Sequence, residues 1–215
     1  MFFWRCHGQN ANNKLPKGFI SLSPTFIDAN VPAECLGLLP SGAGSRGLLN
    51  DLAAQPALVA NRGVGLFFSD PFLNITQIAN FLEQHQIGWI TNLPSIAQHD
   101  AQFRSDLGDV GFTVQAELSC LAQLRRPGIR TLAAISSSSH VDMLADCPAD
   151  AVVVVQTTSD LQVSFPSIGQ RQARLDSIDR ALEKHGAGIS AMLLVTAEEV
   201  ADQAGPVLLR PQLLE

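Results

Sequence analysis

The chain reads as an α/β protein of the (β/α) TIM-type barrel class, and three observations carry that reading. Short apolar runs rich in β-branched residues alternate with segments of helical spacing. Val152-Val153-Val154-Val155 has the composition of a strand covered on both faces, as strands of parallel sheets are. Two runs end abruptly in small polar groups: Val64–Phe68 meets Ser69-Asp70, and Gly88–Thr91 meets Asn92. An amphipathic helix lies between those two. Parallel strands joined in this way deliver their polar ends to one common edge, where α/β proteins place ligand sites.

The elements follow in order. Residues 1–17 carry Asn, Gln, Gly and His without a period and read as an irregular tail. Residues 18–215 read as a single barrel domain. Phe19–Ser23 is a strand stopped by Pro24. Residues 24–47 are rich in Pro, Gly and Ser and read as loop, with a helical turn near Ala33–Leu38. Leu48–Leu58 has helical spacing, and Val64–Phe68 is a strand. Asn74–Gln84 places Ile75, Ile78, Ala79 and Leu82 on one stripe. Gly88–Thr91 is the next strand, followed by helices over Ala101–Leu107 and Val114–Arg125. Strands over Ile129–Ile135 and Ala151–Val155 flank a short helix starting at Val141–Leu144. The helix Leu175–His185, the strand Ile189–Val195, the helix Ala197–Gln203 and the strand Val207–Leu209 complete the pattern. Alternation of this kind implies parallel strands with right-handed crossovers. About seven strands are counted, so the barrel is either complete through a strand not recognised or short by one.

Composition narrows the function. Apolar residues make up 46% of the 215 and charged ones only 16%, so elements are buried on both faces or the surface serves association in a homo-oligomer. A net charge of −6 argues against a nucleic-acid face, which needs clustered Lys and Arg. No apolar run reaches the roughly 18 residues of a membrane span, so no membrane contact is expected. Cys6, Cys35, Cys120 and Cys147 are scattered without a CxxC, Cys120 in a buried-looking helical position, and a reducing cytoplasm is the natural setting.

The candidate site is a set of strand ends. Asp70 can bind Mg²⁺ through oxygen or act as a general base, or it can cap the helix that follows. Ser69 and Ser95 stand at the same two edges as substrate contacts. Asn92 can donate to a substrate oxygen or form a turn before Pro94. His99, next to Asp100, can carry protons near neutral pH, while Asp100 can simply cap the Ala101 helix. Ser136, first of four serines before His140, suits an anion site, although no nucleophile elbow is present. Gln156 and Thr157 offer hydrogen bonds after the valine strand. Gly42, Gly44 and Gly47 spell G-x-G-x-x-G but lack the preceding strand and the later acidic residue, so no nucleotide cofactor is expected.

Several of these segments fall in an order that resembles a known family. Gly37-Leu38-Leu39-Pro40, Asp70-Pro71-Phe72, Asn92-Leu93-Pro94-Ser95, Asp100, Phe103-Arg104, Leu107, Gly111, Glu117, Thr157-Thr158 and Ser177-Ile178-Asp179 are similar in order and spacing to the phosphoenolpyruvate hydrolase-like TIM-barrel family. The family's Gly-rich opening strand is absent, and Thr196-Ala197-Glu198 stands at its late HGGP. The resemblance implies chemistry on a small pyruvate-like or phosphorylated anionic acid at the C-terminal mouth, through a stabilised enolate. Asp70 would handle Mg²⁺ or a proton, with Asn92 and Thr157 on the substrate. A non-catalytic binding or assembly module on the same scaffold is the competing expectation.

Overall fold

We describe a computed structural model of the chain that covers residues 1–8, 15–24, 28, 30–39, 44–162, 164–186, 188–189 and 191–214. Seven strands are parallel neighbours in chain order: β2 (Gly18–Ser21), β3 (Gly63–Gly65), β4 (Trp89–Thr91), β5 (Arg130–Ile135), β6 (Ala151–Val154), β7 (Ala191–Val195) and β8 (Val207–Leu209). These are the runs expected from the sequence. The barrel is nevertheless not short of a strand. β1 (Phe2–His7, preceding the others in the chain) lies antiparallel between β8 and β2 and closes the cylinder. A two-residue β9 (Gln212–Leu213) pairs with the start of β1.

The aperiodic sequence predicts an irregular tail over residues 1–17, and Phe2–His7 forms a strand instead for a plain physical reason. Phe2 and Trp4 alternate inward, each 1% exposed, while Arg5 faces out. That period of two is masked because Phe3, on the face of Arg5 and His7, is apolar as well. Trp4 also donates its indole N–H to Ser21 Oγ at 2.9 Å, so its one polar atom is satisfied across the β1–β2 pair.

Between β2 and β3 lie α1 (Ala33–Leu36), α2 (Gly44–Ala54) and α3 (Pro56–Val59). The expected helix over Leu48–Leu58 thus starts earlier and breaks at Pro56, which has no N–H to continue the ladder. α4 (Ile75–Gln84) is capped by Asn74, whose side chain accepts from Gln77 N, and buries Ile78, Ala79 and Leu82. α5 (Ala101–Asp109) and α6 (Val114–Leu124) are capped by Asp100 and Thr113. After β5 come only 3₁₀ turns, at Ser138–His140 and Asp142–Ala145. α7 (Thr158–Leu161) precedes α8 (Ile168–Lys184), which starts at Ile168 rather than Leu175 because Ser167 and Gln170 form a capping box. The last expected helix is a 3₁₀ turn at Val200–Asp202.

Ala151–Val154 of β6 are fully buried, as are Ile90, Leu132, Ala133, Leu194 and Leu208 on neighbouring strands. Each Val, Leu or Ile so buried stabilises the fold by about 1.5–3 kcal/mol. The helices cover this cylinder from outside. Because β2 to β8 run in parallel, the segments leaving them share one rim, and antiparallel β1 brings its N-terminal end to the same rim. Gly65 shows how closely that rim is packed: a Cβ there would lie 2.4 Å from the Leu93 carbonyl oxygen.

Candidate functional site

The polar tips after β3, β4, β5 and β6 (Ser69-Asp70, Asn92, Ser136 and Gln156) leave one rim of the barrel. What they do there differs from tip to tip. Asn92 is fully buried and turned to the backbone: Oδ1 accepts from Ala134 N at 2.7 Å, and Nδ2 donates to Ala134 O at 3.2 Å. The side chain therefore extends the β4–β5 ladder past the last paired residue of β4.

The same amide group faces a carboxylate that reasoning from strand ends missed. Glu117 of α6 is 1% exposed and lies against three of the candidate residues. Its Oε2 accepts from Ser95 Oγ at 2.6 Å, from Ile96 N at 3.1 Å and from Asn92 Nδ2 at 3.4 Å. Its Oε1 meets Ser69 Oγ at 3.3 Å. Burial pushes the Glu117 carboxyl up to about 7, against the lowering effect of those four donors. Among the described residues no cation pairs with it. A legible signal did exist. On α6 the buried positions are Val114, Glu117, Leu118, Leu121 and Leu124, so the carboxylate falls in phase with the apolar stripe.

The direction of the hydrogen bonds can be worked out. Ser95 Oγ accepts from Ala97 N and from Asn92 Nδ2, both at 3.1 Å. Its single proton therefore goes to Glu117 Oε2. Three donors converge on Oε2, so a proton bound by Glu117 sits on Oε1, opposite Ser69.

Asp70 has a different task. Oδ1 accepts from Phe72 N at 2.9 Å and Oδ2 from Ser45 N at 3.3 Å. It thus caps its own turn and the first turn of α2, not the helix that follows it, which Asn74 caps. Gly44 at the start of α2 has φ +57, and a Cβ there would come within 3.2 Å of Asp70 Oδ2. No group of three or more His, Cys, Asp or Glu able to hold a metal forms among the described residues. With both oxygens facing backbone N–H groups and no such cluster around it among the described residues, Asp70 does not fit the Mg²⁺ role. Ser69 and Asp70 border a cavity of about 530 Å³, whose wall also includes Gly37, Leu38, Arg46 and Pro94.

The remaining candidates lie apart from this group. His99 packs edge-on against Phe103, ring centres 4.8 Å apart, and burial lowers its imidazole. It borders a second, larger and more polar cavity of about 970 Å³ together with Arg210 and Cys35. Ser136 N approaches His140 Nδ1 at 3.4 Å, and His140, buried, is lowered to about 4, with the charge of Arg104 as the lesser cause. Ser137 and Ser139 hydrogen-bond each other at 2.5 Å. Gln156 Oε1 accepts from Arg174 at 3.1 Å, while its buried Nε2 has no partner among the described residues. Thr157 caps α7 in a reciprocal box with Asp160, and the Arg174 guanidinium holds the Asp160 carboxyl down to about 2. Gly42 of the G-x-G-x-x-G string lies outside the described residues, while Gly44 and Gly47 are in α2.

Two ion pairs reinforce the rim. Glu34, 1% exposed, takes both Nε and Nη2 of Arg210, at 2.5 and 2.9 Å. Arg171 of α8 pairs with Glu199 and donates to Leu194 O at 2.6 Å and Pro166 O at 2.8 Å. Phe165 lies under both guanidinium groups, 4.4 Å from Arg171 and 4.1 Å from Arg210. All four cysteines are free, and Cys147, not Cys120, is the buried one. No described helix is long and apolar enough to cross a membrane.

No protein-family model matches the chain. Over 104 residues it is 31% identical to the uncharacterized protein y4oT of Sinorhizobium fredii, which covers 48% of this chain and 53% of that one. The chain thus spans about half the length of the curated relative it matches. Among solved structures, a nitroalkane oxidase from Streptomyces ansochromogenes aligns over 81% of this chain and 42% of its own, at 12% identity and a TM-score of 0.32.

Proposed function

We propose that the chain takes a small carboxylate-bearing acid of the pyruvate type, or its phosphorylated form, into the 530 Å³ cavity at the barrel mouth, and acts on it as phosphoenolpyruvate hydrolase-like enzymes do. One observation carries this reading. Three segments that bear the resemblance and are far apart in sequence, Gly37–Leu39, Asp70–Phe72 and Pro94, border the same cavity. The volume falls in the range of small-molecule sites, and the lining is mainly apolar with a few polar groups. Arg46 is the cation on its wall and suits the ligand's carboxylate. Ser69 supplies a hydroxyl for the carbonyl or enolate oxygen. Gln156, Thr157, His99 and Ser136 have other partners or border other space, and take no part in this reading.

Thermal unfolding with pyruvate, oxaloacetate and phosphoenolpyruvate, each with and without Mg²⁺, tests it. A ligand at about 100 times its Kd stabilises by about 2.7 kcal/mol, and about 2–4 °C per kcal/mol is expected for a chain of this size. A saturable rise in Tm that Arg46→Met removes is the expected result. No rise with any of the three, or an equal rise in Arg46→Met, would overturn it.

A second reading, assembly on the barrel surface, draws on Phe72, 77% exposed, and Leu39, 49% exposed, at the lip of that cavity. Sedimentation across a wide concentration range separates the two: association lost in Phe72→Ser, with no ligand response, favours assembly.

A further inference from the structure

We propose that Ser69 and Glu117 form a two-residue proton relay serving the 530 Å³ cavity, with Glu117 as the buried store and Ser69 as the group that touches the ligand. The relay takes its ligand from the small-acid reading above and its geometry from the structure. Ser69 lies half-exposed on the cavity wall, and Glu117 lies behind it, closed off from solvent. The two carboxylate oxygens are not equivalent. Oε2 is saturated by Ser95, Ile96 N and Asn92, whereas Oε1 has Ser69 as its partner. A proton carried by Glu117 therefore has one way out, and it leads to the cavity.

The hydroxyl of Ser69 must turn with the state of Glu117. When Oε1 bears a proton it donates to Ser69 Oγ, and Ser69's own O–H is free to point at the ligand. When Glu117 is ionised, Ser69 donates to Oε1 instead. In the transfer itself, the Oε1–H bond breaks as an O–H bond forms at Ser69 Oγ. Ser69's original O–H breaks as one forms on the enolate oxygen of the ligand. The products are a Glu117 carboxylate, an intact Ser69 and a neutral enol, and no oxidation state changes. The reverse passage makes the pair a base. Burial helps, because it holds the Glu117 carboxyl near neutrality, where a general acid–base group is most effective.

The groups around the carboxylate are known. Ser69, Ser95, Asn92 and Ile96 N are uncharged donors, and on α6 the thiol of Cys120, pushed up by burial, also feels the Glu117 charge. Arg46 and Asp70 border the cavity beyond Ser69.

Two measurements test the relay separately from its ligand. Glutamate-selective carbon-13 NMR on the ligand-free chain should show one carboxyl titrating near pH 7, absent in Glu117→Gln and moved higher in Ser69→Ala. A midpoint unmoved in Ser69→Ala, or a Glu117 that titrates with the ordinary carboxylates, overturns the relay. Exchange of the methyl hydrogens of pyruvate for deuterium, followed by proton NMR, then reads enolisation, in which solvent water takes the methyl proton as the relay delivers one to the carbonyl oxygen. Ser69→Ala and Glu117→Gln should each lose about 10²–10⁴-fold in exchange rate, Glu117→Gln while keeping the pyruvate-induced rise in Tm, and Ser69→Thr should restore the rate. Undiminished exchange in Ser69→Ala overturns the relay. A titration that shifts as expected in a chain that pyruvate does not stabilise supports the relay and refutes the small-acid reading instead.

Discussion

Glu117→Gln should raise stability at alkaline pH and leave it unchanged at acid pH. The carboxyl sits at about 7 in the folded chain against an ordinary 4.5. That gap of roughly 2.5, at about 1.4 kcal/mol per pH unit, amounts to about 3 kcal/mol. The sign follows from which state holds the proton. The folded value is raised, so the folded chain binds the proton more tightly than the unfolded chain. The associated stability is complete below pH 4.5 and is lost as pH rises through about 7. Above that, the fold carries a buried, unpaired carboxylate while the unfolded chain carries a solvated one. A Gln side chain reproduces the neutral form. Its oxygen can take the place of Oε2 under the donors from Ser95, Ile96 and Asn92, and its NH₂ can donate to Ser69 Oγ. Urea unfolding, followed through the buried indoles of Trp4 and Trp89, gives the comparison. Near pH 4.5 the variant and the parent should agree, and above about pH 8 the variant should be more stable by up to about 3 kcal/mol, or about 6–12 °C in Tm. A variant that is equally shifted at both pH values, or less stable at the higher one, would refute the reasoning.

Three further outcomes follow from the same structure. His140, lowered from 6.5 to about 4, favours the fold above pH 6.5 and loses that contribution as pH falls toward 4, with His99 acting in the same direction. Between pH 4.5 and 6.5 this opposes the Glu117 effect, so the parent's urea midpoint should be nearly flat from these two groups, while Glu117→Gln falls on acidification and His140→Gln rises. Arg210→Met leaves the buried Glu34 carboxylate without its guanidinium and should cost about 3–5 kcal/mol. Adding Glu34→Gln should recover part of that loss in thermal unfolding. Asn92→Ala orphans the N–H and C=O of Ala134, at about 1–3 kcal/mol each, and should lower the urea-derived stability by about 2–6 kcal/mol without changing the m-value.

The sequence was most legible where burial is two-sided and local. The valine run of β6 and the stripe of Ile78, Ala79 and Leu82 on α4 need no distant partner to be recognised. β1 was not legible, because Phe3 hides the alternation of Phe2 and Trp4 and because its partners are β2, β8 and β9 rather than the next segment alone. The first turns of α8 were hidden in the same way: Gly169, Gln170, Arg171 and Gln172 show no apolar period, and the Ser167–Gln170 capping box is what starts the helix. At the candidate site, Ser69, Asn92 and Ser95 stand at strand ends that the sequence pattern picks out, but the carboxylate that joins them comes from a helix, not a strand end.

The reason lies in what a strand end must first do. A parallel strand that stops leaves backbone groups without partners, and the nearest short polar side chain is the cheapest way to satisfy them. Asn92 serves Ala134, Asp70 serves Ser45 and Phe72, and Thr157 serves Asp160. Tips of this kind are therefore poor guides to chemistry. A charged residue in phase with an apolar helical stripe is a better one, since burying it carries a cost that something must offset. Two such residues separate cleanly here. Arg171 on α8 is in phase with Ile178 and Leu182, and its donors meet Pro166 O, Leu194 O and Glu199, an arrangement that ties the helix to the rim. Glu117 on α6 has one oxygen tied to the fold in the same manner and the other turned to a serine on a cavity wall. That single asymmetry separates a buried charge that holds the structure together from one placed to exchange a proton.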